Sequence, residues 1–249
     1  MSNYLNKIYK SISDNKKKLA LLIDPEKFNN LSHNSLKIIK KSKIDYIFIG
    51  GSLISEPIDN IISILRKTID VPIILFPGSI FQISNKVDAI LFLSLISGRN
   101  PDYLIGQHVI AAPYLKKTNL EIIPTGYILI DGKNTSSVQY ISNTTPIPSD
   151  KIEIIIATAI AGEMLGLKLI YLESGSGAKT HVPYEVVKKV KENINIPIIV
   201  GGGIKSPDEM IKLFDAGANV VVISTIFEKN SSILIEFSKS LSDYNRNIL

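Results

Sequence analysis

The sequence predicts a single (β/α)8 barrel over residues 1–249, with an irregular third helix. Three observations carry this expectation. Short apolar runs alternate with stretches of helical spacing along the whole chain, and eight such units fit this length. The runs are nearly continuous in Ile, Val and Leu, as parallel strands buried on both faces require. The last three runs end in small residues: Ser174-Gly175-Ser176-Gly177, Gly201-Gly202-Gly203 and Ser224-Thr225. An open doubly wound sheet would carry a GxGxxG fingerprint after its first strand, and Asp24-Pro25-Glu26-Lys27 is not one.

The first strand is expected at Leu19 to Ile23, ending at Asp24-Pro25, and a helix at Leu31 to Lys41. Tyr46 to Ile49 is the second strand and runs into Gly50-Gly51-Ser52. Pro57 suits a first helical turn, followed by the stripe Ile58, Ile61, Ile62 and Leu65. The third strand, Pro72 to Phe76, stops at Pro77-Gly78, and Ser79 to Asn85 is short for a full helix. Ala89 to Leu93 is the fourth strand, and a helix runs from Pro101 to about Leu115. Glu121 to Ile130 is the fifth, with a bulge or bend expected at Pro124 and Gly126.

Asp131 to Ser149 is rich in Asn, Ser, Thr and Pro and has no periodicity, so it reads as a long functional or mobile loop. Asp150 with Glu153 predicts a capping box on a helix ending at Gly166. After the sixth strand, Leu169 to Leu172, come a helix at Pro183 to Glu192 and a seventh strand at Ile196 to Val200. Ser206-Pro207-Asp208-Glu209 reads as a second capping box. The eighth strand is Val220 to Ile223, and the last helix is expected from Ile226 to about Leu241.

Composition narrows the function. The chain has no cysteine, which excludes a disulfide framework and a thiolate metal site. Three scattered histidines, His33, His108 and His181, make no metal cluster; His181 has no visible partner and reads as surface. A hard cation on oxygen ligands stays open. The net charge of +5 comes largely from scattered lysines, which form a solvated face or attract an anionic substrate or membrane surface. No aromatics interleave with the lysines, so nucleic acid is not expected. Lys7, Lys10 and Asp14 interrupt any signal-peptide core, and no apolar run approaches about 18 residues, so a cytoplasmic protein without a membrane span is expected.

Barrel chemistry sits at the C-terminal strand ends. That rule selects Asp24, Gly50-Gly51-Ser52, Ser94, Asp131, Glu173 to Gly177, Gly202-Gly203 and Ser224-Thr225. The glycine turns can cradle an anion with backbone N–H groups, so a phosphorylated substrate is expected. Asp24 either holds Mg²⁺ with Ser52 or caps the turn before Pro25. Lys27 either meets a phosphate or is solvated. Glu173, directly after a buried strand, either accepts a proton from a substrate hydroxyl or pairs with a lysine. Tyr171 is expected to point into the barrel or to pack beneath it.

Leu22-Ile23-Asp24-Pro25-Glu26-Lys27, Gly50-Gly51-Ser52, Tyr171 to Ala178 and Val200-Gly201-Gly202-Gly203-Ile204 together resemble the geranylgeranylglyceryl phosphate synthase family. The run Tyr171-Leu172-Glu173-Ser174-Gly175-Ser176-Gly177-Ala178 and the preceding Ala161 to Lys168 are similar to the archaeal-type branch. The resemblance implies Mg²⁺-dependent transfer of a geranylgeranyl group to the 3-hydroxyl of sn-glycerol 1-phosphate. It implies Asp24 and Ser52 on the magnesium, and Lys27 near the diphosphate. Glycerol 1-phosphate would lie among Tyr171, Leu172, Glu173, Ser174, Gly175, Ser176, Gly177, Gly202, Gly203, Ser224 and Thr225, with Glu173 catalytic. It further implies a homodimer or higher homo-oligomer. One departure is clear: Ser224-Thr225 stands where the family has a glycine-containing pair. Tyr103, Ile105 and Tyr127 are candidates to line a prenyl groove. The competing readings are a different prenyl length, a phosphosugar isomerase or synthase barrel, and a non-catalytic phosphate-binding scaffold.

Overall fold

In the computed structural model, residues 4–28, 33–55 and 57–248 are described. The chain opens on α1 (Tyr4–Ser13), then β1 (Lys18–Ile23), α2 (Pro25–Phe28), α3 (His33–Lys41), β2 (Tyr46–Ile49), α4 (Asp59–Thr68) and β3 (Ile73–Leu75). The Leu31 start expected for α3 lies outside the described residues. Next come a single 3-10 turn at Ile80–Gln82, β4 (Ala89–Leu95), a π-helical turn at Asp102–Gly106, α5 (Gln107–Leu115) and β5 (Glu121–Leu129). The rest is α6 (Ser137–Ser142), α7 (Ile152–Met164), β6 (Leu169–Glu173), α8 (Tyr184–Asn193), β7 (Ile198–Gly201), α9 (Pro207–Asp215), β8 (Val220–Ile223), α10 (Thr225–Lys229) and α11 (Ile233–Asn247).

The eight strands close in chain order into an all-parallel barrel, β8 returning to β1. Because successive side chains on a strand point to opposite faces, each strand divides its residues between two cores. Ala20, Phe48, Ile74, Leu91, Ile123, Tyr171, Ile199 and Val222 fill the interior. Leu21, Ile47, Ile73, Ile90, Ile170, Leu172, Val200 and Val221 face the helices. Both sets are almost fully buried, so the strand runs are apolar throughout rather than alternating.

Helix α1 was not signalled by the sequence pattern. Its Ile8 joins the interior cluster, and the Glu121 carboxylate accepts N–H bonds from Tyr4 and Leu5 at its first turn. This element closes the barrel floor, opposite the C-terminal strand ends.

Some expectations are corrected and others hold. β5 has no bulge: its register against β4 runs unbroken from Ala89↔Glu121 to Leu95↔Tyr127, through Phe92↔Pro124. Pro124 still accepts a ladder bond from the Lys168 N–H, so its missing donor does not interrupt the pairing. Gly126 is required by space, since a Cβ there would come within 2.9 Å of the Ile170, Ile96 and Leu167 side chains. Asp150 and Glu153 form no capping box; Lys151 is the N-cap of α7, without a side-chain bond. At α9 the Ser206 Oγ does accept from the Glu209 N–H at 3.2 Å, while Glu209 reaches back to the Lys205 N–H. The last helix is two, broken between Lys229 and Ile233. The segment between Asp131 and Ser149 holds α6, capped by Ser136, and is tied down by an Ile130–Ile147 bridge. The third helix is reduced to the 3-10 turn, which leaves the outer ring open beside β3 and β4.

Candidate active site

Eleven of the fourteen residues expected at the substrate, diphosphate and metal positions, all but Leu172, Ser174 and Gly175, converge on one cavity of about 510 Å³ at the C-terminal end of the barrel. Asp24 and Lys27 come from the β1 end, Ser52 from the β2 loop, and Tyr171, Glu173, Ser176 and Gly177 from β6 and its turn. Gly202, Gly203, Ser224 and Thr225 complete the wall from the β7 and β8 turns. Leu172 points outward into the core between strands and helices, because it is one residue out of phase with Tyr171 and Glu173. Ser174 and Gly175 lie behind the wall: Ser174 donates its N–H to the Gly201 carbonyl and its own hydroxyl is buried without a partner.

Glu173 is 5% exposed. Its Oε1 accepts from the Gly175 N–H at 2.6 Å. Burial pushes its carboxyl up to about 7, opposed in part by the Gly175 N–H and the neighbouring Tyr171 hydroxyl. A carboxyl balanced near neutrality is suited to take and return a proton. The Tyr171 hydroxyl is buried beside this carboxylate without a hydrogen-bond partner. Burial, and then the Glu173 charge, hold the Tyr171 phenol well above its ordinary range, so it remains a donor. Beneath it, Phe76 and Tyr127 pack with ring centroids 5.2 and 5.4 Å from Tyr171, an aromatic floor that fixes its ring.

The glycine turns are demanded by close approach. Gly202 has φ +83° and Gly203 φ +71°, and a Cβ on Gly203 would lie 2.6 Å from the Thr180 backbone. Gly175 and Gly177 are also left-handed. Turns of this conformation can present successive backbone amides as a concave anion cradle.

At the opposite wall the Lys27 ammonium bonds Glu228 at 2.9 Å and stands 3.7 Å from Asp24. Ser224 also donates to Glu228, at 3.1 Å, so its hydroxyl turns toward α10. Burial raises the Asp24 carboxyl, against the Glu26 N–H and Lys27, which lower it; nearby Glu228 raises it further. Asp24 and Ser52 are hard oxygen donors, and Gly51 packs so close that a Cβ there would be 3.1 Å from Asp24 Oδ1. No cluster of three or more carboxylate or histidine ligands exists among the described residues. This donor set fits Mg²⁺, which keeps waters and takes its remaining ligands from phosphates.

Three contributors escaped the sequence reading. Lys205 and Lys229 also line the cavity. Lys205 follows the glycine turn by two residues and Lys229 lies one helical turn beyond Thr225, and that placement was the available signal. Gln82 is 1% exposed; its side chain accepts from the Gly51 and Gly78 N–H groups at 3.2 and 3.1 Å and donates to the Gly51 carbonyl at 2.6 Å. It holds the Ser52 loop from a position no motif marks. Asp131 and Ser94, selected at strand ends, serve elsewhere: Asp131 accepts from the Lys133 N–H in a turn, and Ser94 meets His108 at 3.2 Å. His181 is not a bare surface residue, as its ring packs on Tyr184 and its Nδ1 lies 2.7 Å from the Val182 carbonyl oxygen.

A second, apolar groove of about 120 Å³ runs from this cavity through the opening in the helix ring. The two share Gly51, Ser52, Phe76, Tyr127 and Val138. The groove continues past Tyr103, Ile83 and Ala111 to Leu115. Tyr103 and Tyr127 therefore line it, whereas Ile105 is 59% exposed and does not.

Residues 12–241 match the PcrB family. A geranylgeranylglyceryl phosphate synthase of Flavobacterium johnsoniae is 51% identical over 90% of this chain and 93% of its own length. Another from Pyrococcus furiosus is 39% identical over 92% of this chain and 91% of its own. Among solved structures, (S)-3-O-geranylgeranylglyceryl phosphate synthase from Thermoplasma acidophilum, in complex with its substrate sn-glycerol-1-phosphate, superposes with a TM-score of 0.89. It is 31% identical, covering 98% of this chain and all of that one.

Proposed function

The chain belongs to the PcrB family and is a prenyltransferase similar to geranylgeranylglyceryl phosphate synthases, and from that premise we propose that it joins geranylgeranyl diphosphate to the 3-hydroxyl of sn-glycerol 1-phosphate with Mg²⁺. The observation that carries the reading is the continuity of a polar, glycine-walled cavity with an apolar groove. A phosphosugar barrel has no use for such a groove. The Thermoplasma acidophilum relative binds sn-glycerol-1-phosphate, which supports placing that substrate in the polar cavity.

In this reading the Gly202-Gly203 and Ser224-Thr225 turns hold the phosphate. Tyr171 donates to the glycerol moiety, and Glu173 accepts the proton of the 3-hydroxyl. The hydroxyl oxygen forms a bond to C1 of the prenyl group as the bond from C1 to diphosphate breaks, and diphosphate leaves with the electron pair. Asp24 and Ser52 are the residues that would hold Mg²⁺, which neutralises diphosphate charge when bound. Lys27 adds positive charge at the same wall. C1 of an allylic diphosphate develops cationic character, so positioning and deprotonation of the nucleophile are the chain's own tasks. The aromatic floor of Phe76 and Tyr127 excludes water and steers the prenyl tail into the groove. Assembly into homo-oligomers belongs to the same reading.

The test is calorimetric titration with sn-glycerol 1-phosphate and its 3-phosphate enantiomer, followed by transfer assays over prenyl diphosphates of graded length. Selective binding of the 1-phosphate and transfer from the geranylgeranyl donor are expected. Equal binding of both enantiomers, or no transfer from any donor, would overturn it.

A further inference from the structure

Large apolar side chains face solvent on the elements that line the groove. Phe81 on the 3-10 turn is 88% exposed, between groove-lining Ile80 and Ile83. On α5, which packs against that turn, Val109 and Ile110 are 64% and 60% exposed, while Ala111 and Leu115 of the same helix line the groove. Tyr140 on α6 is 81% exposed, next to groove-lining Ile141. Helix α5 is thus apolar on both its inner and outer faces, which is unusual for a surface helix. An exposed apolar rim of this kind, borne by three elements that line one groove, marks an interaction surface. Exposed Lys116 and Lys117 follow α5 directly, and exposed Arg99 precedes the π-helical turn, with Asp102 the opposing charge on that turn.

We propose that this rim is a membrane-docking surface, by which the enzyme rests on an anionic lipid bilayer with the groove mouth facing the acyl chains. The proposal rests on the prenyl-transfer reading, since a prenyl tail partitions into lipid and must pass between bilayer and groove. Apolar side chains inserted at the interface and lysines at the headgroup level are the two components of peripheral attachment. No described helix is long and apolar enough to cross a membrane, so the contact is one of surface insertion.

The test is co-sedimentation of the intact chain with phosphatidylcholine vesicles, with and without phosphatidylglycerol. Wild type should bind the anionic vesicles, less so at high salt. A Val109→Ser/Ile110→Ser variant should lose binding by about tenfold. A Met164→Ser/Leu165→Ser variant, altered at exposed apolar residues at the C-terminal end of α7 that do not line the groove, should bind as wild type. Transfer from a short, water-soluble prenyl diphosphate should be unchanged in both variants. Absence of vesicle binding, equal binding by all three proteins, or sedimentation showing that Val109 and Ile110 lie in a contact between copies would overturn the proposal. In each of those cases transfer from the soluble donor would persist, whereas failure of the transferase reading would abolish it in wild type.

Discussion

A side chain on Gly202 would place its Cβ 2.4 Å from Oε1 of Glu173. The Glu173 carboxylate and the glycine turn beside it are therefore one packing unit. Gly202 is also left-handed, at φ +83°. Gly202→Ala meets both penalties, and neither the buried carboxylate nor the β7 backbone has room to yield. We expect a loss of roughly 1–2 kcal/mol in stability from the backbone alone, with weakened sn-glycerol 1-phosphate binding. Urea denaturation and calorimetry check this; wild-type stability in the variant would show that the turn is not constrained.

Glu173→Gln retains the shape and removes the base. Glycerol 1-phosphate binding should stay within a few-fold of wild type, and single-turnover transfer should fall by roughly 10²–10⁴. A full single-turnover rate would rule out the proton-accepting role.

The same carboxyl makes stability depend on pH. Its folded value, about 7, lies above the ordinary 4.5. The folded state thus holds a proton that the unfolded chain has released between those values. The stabilisation is complete below about 4.5 and is lost as pH rises through about 7, a fall on the order of 3 kcal/mol. Urea midpoints of wild type and Glu173→Gln at acidic and alkaline pH should diverge accordingly, the difference between them changing across this window. With the ionised form as the proposed base, kcat/KM should rise with pH through the same range.

Asp24→Asn should abolish transfer and leave the melting temperature at or slightly above that of wild type. Burial and Glu228 disfavour the Asp24 charge, so neutralising it costs the fold little. Near-normal turnover at saturating Mg²⁺ would remove Asp24 from the metal site.

Gln82→Leu tests the support beneath Ser52. It leaves the Gly51 and Gly78 N–H groups and the Gly51 carbonyl without their partner, which costs about 1–3 kcal/mol per buried unsatisfied group. Transfer should fall together with the melting temperature, and the apparent Mg²⁺ affinity should weaken. Unchanged Mg²⁺ dependence would mean that Gln82 serves only the fold.

Amide exchange should separate the two parts of the β5–α7 connection. Asp131, whose N–H donates to the Ile147 carbonyl, and Ile147, whose N–H donates to the Leu129 carbonyl of β5, should be protected, while the α6 segment between them exchanges faster and slows when both substrates bind. Uniform strong protection in the free enzyme would show α6 to be fixed structure.

The barrel was legible in the chain because strand burial on both faces writes itself as uninterrupted Ile, Val and Leu, and because the turns that need left-handed backbone are spelled in glycine. Asp24, Ser52, Glu173, Gly202 and Gly203 could be picked out as candidates for the same reason: each lies at the end of such a run, and parallel topology sends all those ends to one rim. Other features depend on distant partners. Gln82 is an ordinary polar residue in sequence, and only the meeting of the β2 and β3 loops makes it a clasp. Leu172 and Glu173 are chain neighbours, and the barrel's two-residue alternation sends one to the helices and the other to the cavity. Pro124 and Gly126 look like breaks, yet the neighbouring strands supply the ladder bond and the side chains that make them regular. Local patterning determined the elements and the rim on which they end; closure of the barrel decided which side chains meet there, because those contacts join residues far apart in the chain.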